Sequence, residues 1–326
     1  MKAVKDVAII LLNYNGSLDT IECVQSLNNM ITDYNYDIYI WDNNSRKSEI
    51  DILKEYLKDK ADFKICTENT FEKEKYKNNL LILSSDNLGF AGGNNKVIQS
   101  IYKEYSYVLL LNNDTVVQPD FIERMLDLMN EDREIGFASC RINNYYDRSL
   151  LWNCGGKLRP WGLRKYYSEK EVNNMPDIIT AEFITGCALF IRSTIIKKYG
   201  GLTDDFFHGE EDFNFCWRMK KNHIKGKCLN KVLVYHKVSA TSKMDGGKPG
   251  KMVSYYAYRM VDMKNFYSPI MWCIWKQLLT LILKVRWKRA EYSTVEVKKM
   301  LDILKRASKL QSLNREDTLK IWNLTY

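Results

Sequence analysis

Between Val7 and Leu111 the chain carries four short, almost wholly apolar runs rich in β-branched residues, each closed by a polar turn and followed by residues at helical spacing. That alternation leaves few architectures open. Val7 to Leu12 ends in Asn13-Tyr14-Asn15-Gly16, and Ser17 or Asp19 is placed to cap a helix running through Leu27. Tyr36 to Trp41 is closed by Asp42-Asn43-Asn44-Ser45 and followed by helical spacing over 48–60. A third run, Leu80 to Ser84, precedes a loop from Gly89 to Asn95 that feeds a helix to about Tyr105; Tyr107 to Leu111 is the fourth. Continuous apolar strands are buried on both faces, and their alternation with helices implies an α/β fold on a doubly wound parallel sheet. Ligands of such sheets bind beyond the carboxyl ends of the strands, so the loops at 13–16, 42–45, 87–95 and 112–115 are expected to converge on one pocket.

Composition excludes a disordered or fibrous chain: 45% of the 326 residues are hydrophobic, 13% are aromatic, and only five are proline. The eight cysteines are scattered without the paired spacing of a zinc or redox site, which suits reduced, packed thiols. The first residues run straight into a strand without the pattern of a secretory signal, so a cytoplasmic protein is expected. From about residue 135 the pattern loosens, and Tyr145, Tyr146, Trp152, Trp161, Tyr166 and Tyr167 stand among glycines and charges. Such aromatics suit either stacking on sugar rings or half-buried packing.

Three places carry chemistry. Asn112-Asn113-Asp114-Thr115 puts a carboxylate at a strand's carboxyl end, where it serves as a turn former or as a hard ligand for Mg²⁺ or Mn²⁺. Gly209-Glu210-Glu211-Asp212 opens an amphipathic segment; acids there favour a helix start electrostatically, and one of them is equally suited to take a proton from a hydroxyl. His236 ends an apolar run, either as a hydrogen-bonded structural histidine or as a nitrogen ligand. The Asn87 to Asn95 loop lacks both the dinucleotide-binding and the P-loop spacing, which argues against a dehydrogenase and against ATP hydrolysis; its glycines are expected to let backbone approach a ligand.

Taken in order, Asn13-Tyr14-Asn15, Asp42 to Ser45, Asn87 to Asn95, Asn112-Asn113-Asp114, Thr185-Gly186, Glu211-Asp212 and His236 resemble the family-2 inverting glycosyltransferases over about residues 7–242, nearest their bacterial rhamnosyltransferase-like branch. The resemblance implies the Rossmann-like, A-type nucleotide-diphospho-sugar transferase fold. It also implies a UDP- or dTDP-sugar donor, Mn²⁺ or Mg²⁺, and a carbohydrate acceptor, free or lipid-linked, in surface polysaccharide or glycoconjugate synthesis. Asp42 would accept a hydrogen bond from the pyrimidine, with Tyr14 and the Asn13 backbone beside the base, and Asn87, Gly89 and Asn94 lining the nucleotide pocket. Asn112 and Asn113 lead into Asp114, the metal-binding aspartate of the family's DxD motif, although Asn112 replaces its first acid. Asp212 would be the general base, Glu211 a neighbour that raises its pKa, His236 a further metal ligand, and Gly186 the small residue on the strand beneath the donor sugar. Asn214 stands where the family often has another aspartate.

A sugar nucleotidyltransferase needs a basic, glycine-rich loop after the first strand, and Asn13 to Ser17 holds no arginine or lysine. A non-catalytic carbohydrate-binding protein would have no use for Asp42, Asp114, Asp212 and His236 together.

The formal charge of +9 is uneven: residues 1–250 hold 34 basic and 34 acidic side chains, residues 251–326 hold 15 and 6. A catalytic domain at 1–245 with a helical, basic and aromatic extension at 246–326 is expected, and the neutral body argues against nucleic acid as substrate. For residues 252–289 three occupants stay open: the inner face of a membrane, the body of the protein, or a second copy in a homodimer.

Overall fold

The computed structural model describes residues 5–58, 60, 62–74, 79–238 and 249–325. The expected boundary at 245/246 lies outside them. The elements run β1 Lys5–Asn13, α1 Ser17–Asn28, β2 Tyr36–Asp42, α2 Lys47–Lys58, β3 Phe63–Thr67, α3 Phe71–Glu74, β4 Asn79–Leu83, α4 Gly89–Ile101, β5 Tyr105–Asn112, β6 Thr115–Val117, α5 Phe121–Glu131 and β7 Ile135–Asn144. Then come β8 Leu151–Asn153, β9 Gly156–Arg159, β10 Leu163–Tyr166, α6 Glu169–Val172, β11 Ile178–Thr180, β12 Ala188–Arg192, α7 Ser193–Tyr199, α8 Glu211–Lys221 and β13 Lys225–His236. Four helices close the chain: α9 Pro249–Phe266, α10 Pro269–Arg289, α11 Thr294–Ala307 and α12 Arg315–Trp322.

The apolar runs behave as their composition requires. In β1, Val7, Ile9 and Leu11 join one buried cluster with Val24 and Leu27 of α1 and Phe121 of α5. Ala8 and Ile10 join the other, with Val97 and Ile98 of α4 and residues as distant as Val253 and Trp287. Both faces are covered, so no position of the strand has to be polar.

The main sheet has the order β11-β13-β7-β12-β5-β1-β2-β4-β3. The pairs from β5 through β1, β2 and β4 to β3 are all parallel. The other half is mixed: β12 runs antiparallel to both β5 and β7, while β13 is parallel to β7. The parallel sheet expected for the repeating units is found in β1, β2, β4 and β5; β12, beyond them in sequence, enters antiparallel after a long excursion rather than from a crossover helix.

Several local expectations shift. Gly16, not Ser17 or Asp19, is the N-cap of α1; Ser17 instead donates its hydroxyl to Glu49, and Asp19 receives the Lys237 ammonium. The half-exposed edge strand β3 has too few consecutive apolar residues to announce itself. Gly89 already begins α4, so the supposed loop is the helix's first turns. Internal packing alone requires its glycines: a Cβ on Gly89, which has φ +75°, would lie 2.0 Å from the Phe207 carbonyl, and one on Gly93 2.4 Å from Leu12. Gly186 sits in the turn before β12, not on a strand.

The tail divides in two. Along α9, Val253, Ala257, Met260 and Val261 are buried, Asn214 donates to Asp262 at 2.7 Å, and the Tyr258 hydroxyl meets Thr318 at 2.9 Å. Most of residues 252–266 are therefore packed against the body, although Asn265 is exposed and Met252, Tyr255, Tyr256, Lys264 and Phe266 are half-buried. On α10 only Trp275, Leu283 and Trp287 are buried, and an apolar stripe faces outward. Among the described residues no helix is long and apolar enough to cross a membrane.

Candidate active site

The loops at the carboxyl ends of β1, β2, β4 and β5 meet in a knot of asparagine side chains. Asn13 donates to Asp42 at 2.6 Å, and the Asn43 N–H to the Asn13 carbonyl at 2.8 Å. Asp42 also receives the Ser45 N–H at 2.9 Å, and the Ser45 hydroxyl receives the Asn15 N–H at 2.8 Å. Asn43 bridges outward: its amide donates to Asn87 at 2.9 Å and to the Gly89 carbonyl at 3.0 Å, while its oxygen receives the Leu88 N–H. Asn113 closes the knot with a 2.8 Å bond to Thr20 and a longer one to Asn13. Neutral amides suit this work, because each offers two donors and an acceptor without the desolvation cost of a charge.

The knot redistributes the expected roles. Asp42 is 0% exposed and both its oxygens are engaged, so the expected contact with a base is not open here; it pins the turn. Asn94, likewise buried, folds back onto the Phe90 carbonyl at 2.8 Å instead of lining an open pocket. Tyr14 is 50% exposed, and Asn87, Asn112 and Asn113 are half-buried; among the described residues the Asn112 amide forms no hydrogen bond of its own. Asn43, absent from the expected set, joins the second loop to the third; nothing distinguishes it in sequence from the asparagine beside it.

Next to the knot, β6 pairs antiparallel with the end of β13, setting His236 opposite Thr115. Asp114 is thereby beside His236: Asp114 Oδ1 and His236 Nε2 are 3.0 Å apart, each residue is 6% exposed, and His236 Nδ1 is buried without a partner. Lys237 fixes this end of β13 by donating its backbone N–H to the Asp114 carbonyl and its ammonium to Asp19 and Glu22 of α1. No cluster of three or more His, Cys, Asp or Glu suited to a metal exists among the described residues. One carboxylate and one imidazole with an unspent nitrogen still fit a divalent cation whose other ligands come from phosphate oxygens and water.

The acidic end of α8 is held by residues far away in sequence. Asp212 Oδ2 accepts the Gly186 N–H at 3.3 Å, and the neighbouring Cys187 carbonyl accepts the Asn112 N–H at 2.8 Å. Asp212 and the Asn112 to Asp114 segment therefore flank the same short turn. Arg164 of β10 reaches Glu210 at 3.2 Å and Asp212 at 3.6 Å, and lies over the rings of Phe183, Tyr166 and Tyr255. Arg259 of α9, only 3% exposed, clamps Glu210 through two nitrogens and donates to the Gly162 carbonyl. Glu210 adopts φ +68°, a left-handed conformation uncommon for a glutamate, which this clamp maintains.

Burial pushes the Glu211 carboxyl up to about 8, helped by Asp212 and Glu210, and its Oε2 has no partner. Burial also raises Asp212, whose side chain is 20% exposed; Arg164 and the Gly186 N–H pull in the opposite direction and favour its ionised form. A cavity of about 310 Å³ opens over Glu211 and Asp212, walled by Arg164, His208, Lys251, Tyr255, Tyr258 and Trp322. Four of these six, Lys251, Tyr255, Tyr258 and Trp322, come from the C-terminal helices. Neither Arg164 nor Arg259 carried any signal in sequence, since each lies in a stretch without motif.

A parallel sheet whose loops gather at one end, with an aspartate–histidine pair and a helix-borne aspartate around one turn, defines an α/β fold of the nucleotide-sugar transferase type. Two solved structures share it. GalNAc-T7 with UDP, GalNAc and Mn²⁺ gives a TM-score of 0.56 at 13% identity, covering 81% of this chain and 52% of that one. S. aureus TarS 1-349 in complex with UDP-GlcNAc gives 0.53 at 13% identity, covering 98% and 90%. The chain belongs to glycosyl transferase family 2, whose description matches residues 8–199. It is also 28% identical over 151 residues to the low-salt glycan biosynthesis hexosyltransferase Agl10 of Haloferax volcanii, covering 44% of this chain; it spans about half the length of that relative, 48%.

Proposed function

We propose that the chain transfers a sugar from a UDP- or dTDP-sugar to a carbohydrate hydroxyl by single displacement, inverting the anomeric centre with the help of a divalent cation. The supporting observation is the turn at Gly186-Cys187, which ties Asp212 to one side and the Asn112 to Asp114 segment to the other. An in-line transfer needs a proton acceptor on the acceptor side and charge neutralisation on the leaving diphosphate.

In this reading the acceptor occupies the cavity over Asp212, stacked between its aromatic walls, and a carboxylate oxygen of Asp212 takes the hydroxyl proton as the oxygen attacks. Arg164 and the Gly186 N–H hold Asp212 ionised before the step; the protonated Glu211 beside it keeps a second negative charge away. Asp114 and His236 would hold Mn²⁺ or Mg²⁺, which, when bound, supplies positive charge to the diphosphate. The exposed Tyr14 and the half-buried Asn87, Asn112 and Asn113 are the groups that meet the nucleotide sugar, while Asp42, Asn13 and Asn94 hold the loops that carry them. The UDP and UDP-GlcNAc held by the GalNAc-T7 and TarS structures support a uridine donor.

Purified protein incubated with Mn²⁺ and UDP-, dTDP- and GDP-sugars is expected to release nucleoside diphosphate slowly, and faster with acceptor. Release of pyrophosphate from a triphosphate and a sugar phosphate would identify a nucleotidyltransferase instead; sugar binding without turnover would identify a lectin. Asp114→Ala is expected to abolish metal-dependent donor binding, and unchanged binding would remove that residue from the site.

A further inference from the structure

The outward face of α10 is unlike any other surface described above. Ile270, Ile274, Leu278, Leu281, Ile282 and Val285 are all exposed, by 43% to 74%. On a helix turning about 100° per residue they fall within an arc of roughly 120° and run for about 22 Å. The opposite face buries Trp275, Leu283 and Trp287 against the protein. The stripe is thus a continuous, unpartnered band on a firmly docked helix, larger than a soluble surface usually leaves open.

Charge identifies what covers it. The helix contains no acidic residue, and its cations are Lys276, Lys284, Arg286, Lys288 and Arg289. At the same helical pitch Lys284 and Lys288 border the stripe on one side, and Arg286 and Arg289 lie toward the other. Among the described residues Lys284, Lys288 and Arg289 have no acidic partner, while Arg286 donates to the Tyr256 hydroxyl at 3.1 Å. A hydrophobic band rimmed by uncompensated cations matches acyl chains beneath anionic headgroups. A second copy laid parallel on the stripe would bring these cations, gathered at residues 284–289, against each other, which disfavours that pairing.

We propose that α10 is an interfacial helix that lays the protein on an anionic lipid bilayer, its stripe among the acyl chains and its cations at the headgroup phosphates. Residues 252–266 contribute no comparable stripe, because their apolar side chains Val253, Ala257, Met260 and Val261 are buried in the body. The docking surface lies one helix from the cavity over Asp212: α10 touches α9 through Arg286 and Tyr256, and the adjacent Tyr255 walls that cavity. A membrane-bound acceptor would thereby arrive beside the carboxylate. The docking itself stands whether or not the transfer chemistry is as proposed.

The test is flotation of the full chain with extruded vesicles of phosphatidylcholine containing about a third phosphatidylglycerol, against vesicles of phosphatidylcholine alone, with light scattering to give the oligomeric state. Binding is expected to the anionic vesicles only, falling at least tenfold in Leu278→Glu/Ile282→Glu and several-fold in Lys284→Gln/Lys288→Gln/Arg289→Gln or at about 0.5 M salt. Both variants alter exposed side chains, so thermal melting is expected to be unchanged and separates lost docking from lost folding. Equal flotation of all three proteins would overturn the proposal. So would failure of the parent to float, or a dimer that the glutamate pair dissociates.

Discussion

The two halves of the candidate site are built from opposite materials. On the nucleotide side, Asn13, Asn43, Asn87 and Asn113 tie four neighbouring loops with neutral hydrogen bonds, all between strand ends that the sheet already holds adjacent. On the acceptor side, Glu210 and Glu211 are buried and Asp212 partly so, all three charged or chargeable, and Arg164 and Arg259 reach Glu210 and Asp212 from segments distant in sequence. The first half is a rigid frame whose motif residues mostly satisfy one another. The second keeps groups imperfectly satisfied, which is where chemistry remains available.

The contrast can be broken experimentally. The largest effect is expected from Asp212→Asn, which should lower turnover by about 10²- to 10⁴-fold while donor binding, measured calorimetrically, persists. Normal turnover would leave the acceptor side without its base. Arg259→Met should come next: it leaves the buried Glu210 to Arg164 alone, at a cost near the lower end of about 3–5 kcal/mol in urea unfolding. Asn13→Ala in the frame should cost less, about 1–3 kcal/mol, because Asp42 loses one amide donor but keeps the Ser45 N–H. If the frame variant were the more damaging, the division drawn here would be reversed.

Finer effects follow from titration. Arg164→Met withdraws the charge that favours ionised Asp212, so the acidic limb of the pH dependence of kcat/KM should move upward; a stationary limb would relegate Arg164 to packing. Glu211 titrates at about 8 in the folded chain against an ordinary 4.5. Between those values the unfolded chain has released a proton that the folded one keeps, so stability declines as pH rises through that window and levels off above it. Glu211→Gln removes this decline, and its advantage in melting temperature should therefore be larger at pH 8 than at pH 5.

Sequence and structure agree best where the physics is local. Val7 to Leu12 and Tyr107 to Leu111 announce buried strands because both faces need apolar residues, and their polar ends mark where loops gather. The edge strand Phe63–Thr67 escaped because half of it faces solvent. Gly89 and Gly93 invite a ligand-binding reading, since the atoms they accommodate, the Phe207 carbonyl and Leu12, lie far off or unmarked along the chain. Asp42 shows the same limit: an acid after a strand is easily found, but only coordinates show that Asn13 and Ser45 already occupy it. Arg164 and Arg259 were invisible because their meaning arises from tertiary approach.

The clamp from Arg259 to Glu210 also bears on how this protein can be cut and recombined. The family's description ends at residue 199, before the helix that carries Asp212 and well before the arginine that steadies its first turn. A fragment trimmed to that limit would discard the proposed proton acceptor, and a chimera that exchanged the C-terminal helices for another enzyme's would leave Glu210 to Arg164 alone unless the incoming helix brought its own cation. Modularity here is bounded by that one buried ion pair.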